Sequence, residues 1–175
     1  MPHKFWLLYA WAVRTLMFFL PDIPVIMRLR GILYSIGMMR CGRNLQIAHS
    51  VIINGLDLCA FGNDIYIANG CNLILNGDLE IGDEVMFGPG VLVSTGNHQF
   101  DGNSYRFSRS FKTKVIIGTG SWVGGNSTLL GGAIIPPHSV VAAGSVVTKK
   151  SCENEEGIYG GVPASLIKAK KSCYQ

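Results

Sequence analysis

Between Val115 and Thr148 an aliphatic side chain returns every six positions, at Ile117, Val123, Leu129, Ile135, Val141 and Val147. Few folds accept that interval. A helix buries side chains at three- and four-residue steps and a simple strand at every second residue, so a fixed period of six marks stacked structural repeats. Four places after each of the first five aliphatics stands a small residue: Ser121, Ser127, Ala133, Ser139 and Ser145. Two inward positions separated by one outward residue describe a short strand, and the Gly, Asn and Pro between them turn a corner. Three such faces close a triangular coil, with the aliphatics in a central column and backbone hydrogen bonds running between coils. The expected fold is therefore an all-β solenoid. A charge placed at Val123 or Val141 is expected to be severe, because an unpaired buried ion costs several kcal/mol.

Upstream, Ile47 with Val51 and Ile53 with Asp57 begin the period, and Ile67 with Cys71 resumes it after a two-residue slip. A second slip near Asn76 and Gly77 leads to Ile81, Phe87 and Val93. Residues 45–148 thus have room for about six coils, a prism on the order of 29 Å tall at about 4.8 Å per layer. From about residue 97 to 114 the spacing remains a multiple of six, but Gln99, Tyr105 and Phe111 would then point inward. That stretch is read as an excursion from the solenoid, where binding residues tend to concentrate.

Residues 1–44 are read as a helical segment. Phe5 to Leu20 is almost wholly apolar but is interrupted by Arg14 and ended by Pro21. At about 16 residues it is shorter than the roughly 20 a spanning helix needs. No small-x-small cleavage pattern follows, which argues against a signal peptide. Two readings stand side by side: a helix packed on the solenoid or a neighbouring subunit, and an interfacial helix lying on a membrane through residues 5–20, flanked by Arg28 and Arg30. Asp22 is a candidate cap for a second helix over about 23–39, interrupted by Gly31 and Gly37. Residues 149–175 are read as a C-terminal cap: Lys149, Lys150 and a charged turn, then Gly160 to Ala164, and a basic tail from Ser165 to Lys171 expected to close the last coil as a short C-terminal helix.

Fifteen Lys and Arg against eleven Asp and Glu give a net charge of +4, too mild and dispersed for nucleic-acid binding and compatible with an anionic small molecule. The five cysteines, Cys41, Cys59, Cys71, Cys152 and Cys173, are odd in number and contain no CxxC pair. They read as free thiols in a reducing, cytoplasmic setting, with Cys59 a core filler and no zinc knuckle.

The ordered set Ile81-Gly82-Asp83-Glu84, Pro89-Gly90, His98, Ile117-Gly118, Trp122-Val123-Gly124-Gly125, Ala143 to Lys149 and Gly161-Val162-Pro163-Ala164 resembles the hexapeptide-repeat acyltransferases. The resemblance covers residues 45–170 and is strongest to the maltose and galactoside O-acetyltransferases, including those of polysaccharide biosynthesis. It implies a left-handed parallel β-helix, a homotrimer with active sites between subunits, and transfer of acetyl from acetyl-CoA to a sugar hydroxyl, without a metal. His98 matches the family's general base, suited to that role because imidazole titrates near neutrality. His49 and His138 fall at corners and His3 in a terminus expected to be mobile. For the acyl donor the resemblance implies Trp122 and Gly125 near the thioester, Ala143, Thr148 and Lys149 farther along, and Lys168 or Lys170 at the nucleotide phosphates. For the acceptor it implies Asn69 and Asn76. No residue is identified that orients His98, although Asp101 lies close in sequence.

Three rivals share the scaffold. A zinc-dependent carbonic anhydrase needs three converging histidines, and this chain has no suitably spaced pair near His98. A non-catalytic trimeric solenoid is opposed by His98, Trp122 and Lys149 occurring together. A sugar N-acetyltransferase remains open, since amine and hydroxyl acceptors both occur on this scaffold. A serine acetyltransferase would have a far longer N-terminal domain than residues 1–44.

Overall fold

The computed structural model describes residues 3–151 and 155–170. It opens with two helices, α1 (His3–Met17) and α2 (Pro24–Ser35). The first coil follows as β1 (Arg40–Cys41), β2 (Gln46–Ile47) and β3 (Ile52–Asn54). The second is β4 (Cys59–Phe61), β5 (Tyr66–Ile67) and β6 (Asn72–Ile74), and the third β7 (Leu79–Ile81), β8 (Met86–Phe87) and β9 (Leu92–Ser94). A hairpin, β10 (Gly96–His98) and β11 (Ser110–Lys112), then leaves the solenoid. Coil four is β12 (Val115–Ile117), β13 (Trp122–Val123) and β14 (Thr128–Leu130); coil five is β15 (Ile134–Ile135), β16 (Val140–Val141) and β17 (Val146–Val147). The last strands are β18 (Gly157–Gly161) and β19 (Ala164–Ala169).

Corresponding strands stack in parallel to give three faces. Face A is β1-β4-β7-β12-β15, face B is β2-β5-β8-β13-β16-β18 with β19 outermost, and face C is β3-β6-β9-β14-β17. All six aliphatics of the hexad series are buried in the column these faces enclose, as are Cys59 and Cys71. Burial pushes both of those thiols up, so they behave as small apolar fillers. The small residues sit at corners, where their hydroxyls reach the next coil: Ser121 Oγ donates to Pro136 O at 2.9 Å and Ser127 Oγ to Ala142 O at 3.0 Å.

The turn from face A to face B repeatedly uses a left-handed backbone, at Asn44, Asp64, Glu84, Gly120 and His138. The turn from B to C does the same at Gly70, Gly90, Asn126 and Gly144. His138 is thus a corner residue, as its place in the hexads suggests. The slips in the sequence are extra residues at the corner from C to A. Ala60 lies beside Glu80, twenty positions on, whereas Ile116 lies beside Ile134, only eighteen on. A 3-10 turn at Leu56–Leu58 takes up the surplus in the first coil.

The two helices cover the end of the first coil, with Ala10, Val13, Met17, Met27 and Tyr34 joining the solenoid core. Gly31 permits this approach, since a Cβ there would lie 1.9 Å from Leu45 O. Asp22 does not cap α2, whose N-cap is Ile23 without a side-chain bond. Instead its carboxylate accepts hydrogen bonds from Arg30 Nη1 at 2.6 Å, His49 N at 2.8 Å and His49 Nδ1 at 2.7 Å. Arg30, read from sequence as part of a basic flank, turns inward and is 2% exposed. His3 is also tied down, with Nδ1 2.9 Å from Asp57 Oδ1.

The expected C-terminal helix is not formed. Residues Ala164–Ala169 run as β19, antiparallel to β18. Because β18 pairs in parallel with β16, its far edge carries unpaired N–H and C=O groups that a helix laid across it would leave without partners. A returning strand satisfies them, and that outweighs the helical propensity of Ala, Leu and Lys. Lys171, Cys152 and Cys173 lie outside the described residues.

Candidate active site

His98 ends β10, directly opposite Ser110 of β11. The hairpin is anchored where it leaves the third coil. Thr95 Oγ1 accepts from Asn76 N and Gly77 N, each at 2.9 Å, and donates to Gly77 O at 2.8 Å. Thr113 Oγ1 closes the root by donating to Thr95 O at 2.6 Å. Thr95 is fully buried, so the root is rigid while the strand pair projects outward. Asn76 Nδ2 donates to Ser110 Oγ at 2.9 Å, which sets that amide beside the His98 strand pair.

The His98 side chain is exposed, and among the described residues no group hydrogen-bonds its ring. Asp101 is committed elsewhere: Oδ1 accepts from Asn103 N at 2.9 Å and Ser104 N at 2.7 Å. Those backbone bonds, the one from Ser104 foremost, hold its carboxyl below the usual range. Asp101 therefore organises its own turn and does not orient His98.

Beside the hairpin lies a recess of about 380 Å³ between Asn97, Thr113, Leu130, Gly131 and the Thr148–Lys150 turn. Thr148 and Lys149 are thus placed near β10, together with Lys150 and Thr113, which sequence reasoning did not single out. The Thr148 hydroxyl is engaged within its turn, 3.0 Å from Ser151 Oγ. Thr95 and Thr113 were equally hard to foresee, because their role is a pairing between residues 18 positions apart.

The other expected site residues lie elsewhere. Asn69, Gly125 and Ala143 occupy equivalent places in the second, fourth and fifth coils at the corner between faces B and C, with Pro89 in the third, as the bonds from Gly90 N to Asn69 O, Asn126 N to Pro89 O and Gly144 N to Gly125 O trace. The Gly125 N–H donates to no group among the described residues; Asn69 and Ala143 share this, so it belongs to the corner. A Cβ at Gly125 would sit 3.0 Å from Pro89 O, which makes the glycine a packing requirement as well. Trp122 stands outward on face B, 47% exposed, between Met86 and Val140. Lys168 on β19 lies with Lys170, His138 and Gly120 around an open groove of about 740 Å³ at the other edge of that face. Within one chain, His98 and Gly125 are therefore at opposite edges of face C. Among the described residues no group of three or more His, Cys, Asp or Glu is arranged to hold a metal ion.

No family model matches the sequence. Over 94 residues, 54% of this chain and 45% of the relative, it is 34% identical to a galactoside O-acetyltransferase from Lactococcus lactis. The chain spans about half the length of the curated relatives it matches. A maltose O-acetyltransferase structure from Clostridium difficile 630 superposes with a TM-score of 0.84 at 23% identity, covering 97% of this chain and 89% of that one. A hexapeptide-repeat acetyltransferase from Vibrio cholerae, crystallised with acetyl coenzyme A, gives 0.82 at 21% identity, with the same coverage. An N-acyltransferase from Bacillus cereus, in complex with dTDP and 3-hydroxybutyryl-CoA, gives 0.62 at 22% identity over 81% of this chain and 88% of that one. The chain has the parallel β-helix fold of these acetyltransferases. Its repeat region is similar in sequence to the galactoside O-acetyltransferases in particular.

Proposed function

We propose that the chain is an acetyl-CoA-dependent O-acetyltransferase that modifies a hydroxyl of a sugar or surface-polysaccharide precursor in the cytoplasm, with His98 as general base. The observation that carries this reading is the exposed, uncommitted imidazole on a rigidly rooted hairpin beside Asn76. A base that takes a proton from substrate needs a ring nitrogen not already bound. The acceptor hydroxyl gives its proton to that nitrogen as its oxygen attacks the thioester carbonyl. A tetrahedral oxyanion forms, for which the free Gly125 N–H is the candidate donor. Collapse breaks the C–S bond, and the departing thiolate takes the proton from the imidazolium, giving the acetyl ester and coenzyme A.

One chain does not bring His98 and Gly125 together, so the reaction requires a neighbouring copy whose B–C corner meets the His98 edge. A homotrimer supplies three such junctions. The residues fit an extended thioester: Trp122 offers an aromatic surface, while Lys168 with Lys170 offers positive charge for phosphates. Asn69 and Asn76 provide neutral amides for sugar hydroxyls. An amine acceptor would use the same base, and the likeness to an N-acyltransferase keeps that second reading in view. A screen of sugars and nucleotide sugars with a thiol-release readout, followed by NMR of the product, tests both. Acetyl on oxygen is expected; acetyl on nitrogen selects the second reading, and no acceptor-dependent thiol release overturns both.

A further inference from the structure

We propose that the outer faces of α1 and α2 form a docking surface for an anionic lipid bilayer. A helix on a globular surface ordinarily buries one apolar stripe and turns polar residues outward. These two helices are apolar on both sides. The inner stripe plugs the first coil, as described above. On α1 the opposite side carries Leu8, Trp11 and Leu16, the last 79% exposed, and Phe19, in the turn just after the helix, is 90% exposed. On α2 it carries Val25, Leu29 and Ile32, and the C-cap Ile36 continues their helical spacing, with Val25 68% exposed. Among the described residues none of these side chains belongs to the set packed against the solenoid core, and Tyr9 OH donating to Leu33 O at 2.8 Å ties the two helices together.

Charge identifies the occupant. Residues 1–44 hold six Lys and Arg against one acidic residue, Asp22, a net of +5. The remaining chain holds nine against ten, a net of −1, so the entire positive balance of the protein lies in its helical end. Asp22 is already paired with Arg30 and His49, which leaves Lys4, Arg14, Arg28, Arg40 and Arg43 without an acidic counter-charge in this segment. A second copy docking through the same surface would bring two such clusters together. An anionic headgroup layer meets them with opposite charge while the aromatic and aliphatic tips enter the acyl boundary. The helices lie in the plane of such a surface and do not cross it. At about 22 Å and 18 Å from their residue counts they fall short of a hydrocarbon core about 30 Å thick, and among the described residues no helix is long and apolar enough to span.

The test is co-sedimentation of the full chain with vesicles of phosphatidylcholine alone or mixed with phosphatidylglycerol. Expected is partition onto the mixed vesicles, weakened when salt rises from about 0.1 M to about 1 M and the screening length falls from about 10 Å to about 3 Å. A variant with Leu16→Glu, Phe19→Glu, Val25→Glu and Ile32→Glu alters only exposed positions and is expected to lose at least tenfold in bound fraction at unchanged circular dichroism. Lys4→Gln with Arg40→Gln keeps the apolar face and is expected to weaken binding to the mixed vesicles alone. The proposal is overturned if the native chain ignores both vesicle types or binds them equally, or if the four-Glu variant binds as before. It is equally overturned if sedimentation equilibrium shows that the four-Glu variant dissociates an oligomer while vesicle binding is absent throughout. Acetyl transfer to a soluble sugar is independent of these outcomes, so the reading of the active site stands or falls separately.

Discussion

Replacing Arg30 by Met tests how the helical end is fastened to the first coil. The guanidinium is almost fully buried and joins four groups: Asp22 Oδ1 at 2.6 Å, Ile47 O at 3.1 Å, Leu20 O at 2.5 Å and Pro21 O at 3.2 Å. Methionine fills the stem's volume but donates nothing. Asp22 keeps its two bonds from His49 and is partly open to water. The loss is then the charge-assisted bond to Asp22 and the donors to three carbonyls, two of them only part-buried and open to replacement by water, about 2–4 kcal/mol, offset in part by relief of the unpartnered buried Nε. Asp22→Asn leaves the buried guanidinium without its counter-charge and is expected to cost more, about 3–5 kcal/mol. With about 2–4 °C per kcal/mol for a chain this size, Arg30→Met lowers Tm by roughly 5–15 °C. Burial raises the Asp22 carboxyl, but the His49 hydrogen bonds and the charges of His49 and Arg30 outweigh it and hold the group below its ordinary value. Its contribution is therefore complete above the unfolded aspartate pKa and is lost as pH falls through the lower folded value. Urea unfolding of both single variants and the double variant, at neutral and acid pH, is the assay. A coupling of at least about 1 kcal/mol at neutral pH, shrinking in acid, is expected. Additive effects, or an Arg30→Met protein within about 0.5 kcal/mol of the native one, would refute the reasoning.

Three further outcomes follow from the packing and the hairpin root. Leu129→Ala, at a fully buried position, is expected to destabilise by about 2–5 kcal/mol, read as a lowered urea midpoint. Gly31→Ala drives a methyl against Leu45 O and is expected to cost about 1–3 kcal/mol, with hydrogen exchange rising in α2 before the solenoid. Thr95→Val removes an acceptor for two N–H groups and a donor to Gly77 O, about 1–3 kcal/mol in all. It should also depress acetyl transfer by loosening the His98 hairpin; full activity would show that the hairpin root does not position the base.

The solenoid was legible because its signal is local and repeated. Each aliphatic from Ile117 to Val147 is followed at a fixed distance by the next, and every one is buried; the slips near residues 55 and 77 were visible as breaks in that interval. The excursion was legible for the complementary reason, that Gln99 and Tyr105 are poor core residues. What the sequence concealed are contacts between distant positions. Asp22 looks like a helix cap, yet its partners are Arg30 and His49, the latter 27 residues away. His3 looks like a loose terminus, yet it reaches Asp57. Ala164–Ala169 has helical composition, and only the open edge of β18 makes it a strand. Of the candidate site, His98, Asn76, Thr148 and Lys149 fall near one another, whereas Gly125 and Trp122 lie across face C or beyond. No spacing within one chain encodes that separation, because it depends on which face each corner adjoins.

The most direct test of the functional reading is single-turnover and steady-state acetyl transfer by His98→Ala, with the best acceptor from the sugar screen and thiol release as readout. Loss of about 10²- to 10⁴-fold in turnover is expected, with circular dichroism and oligomeric mass unchanged, because the base is removed and among the described residues no structural bond to the ring exists to be broken. Thiol release at the native rate in that variant would contradict the account.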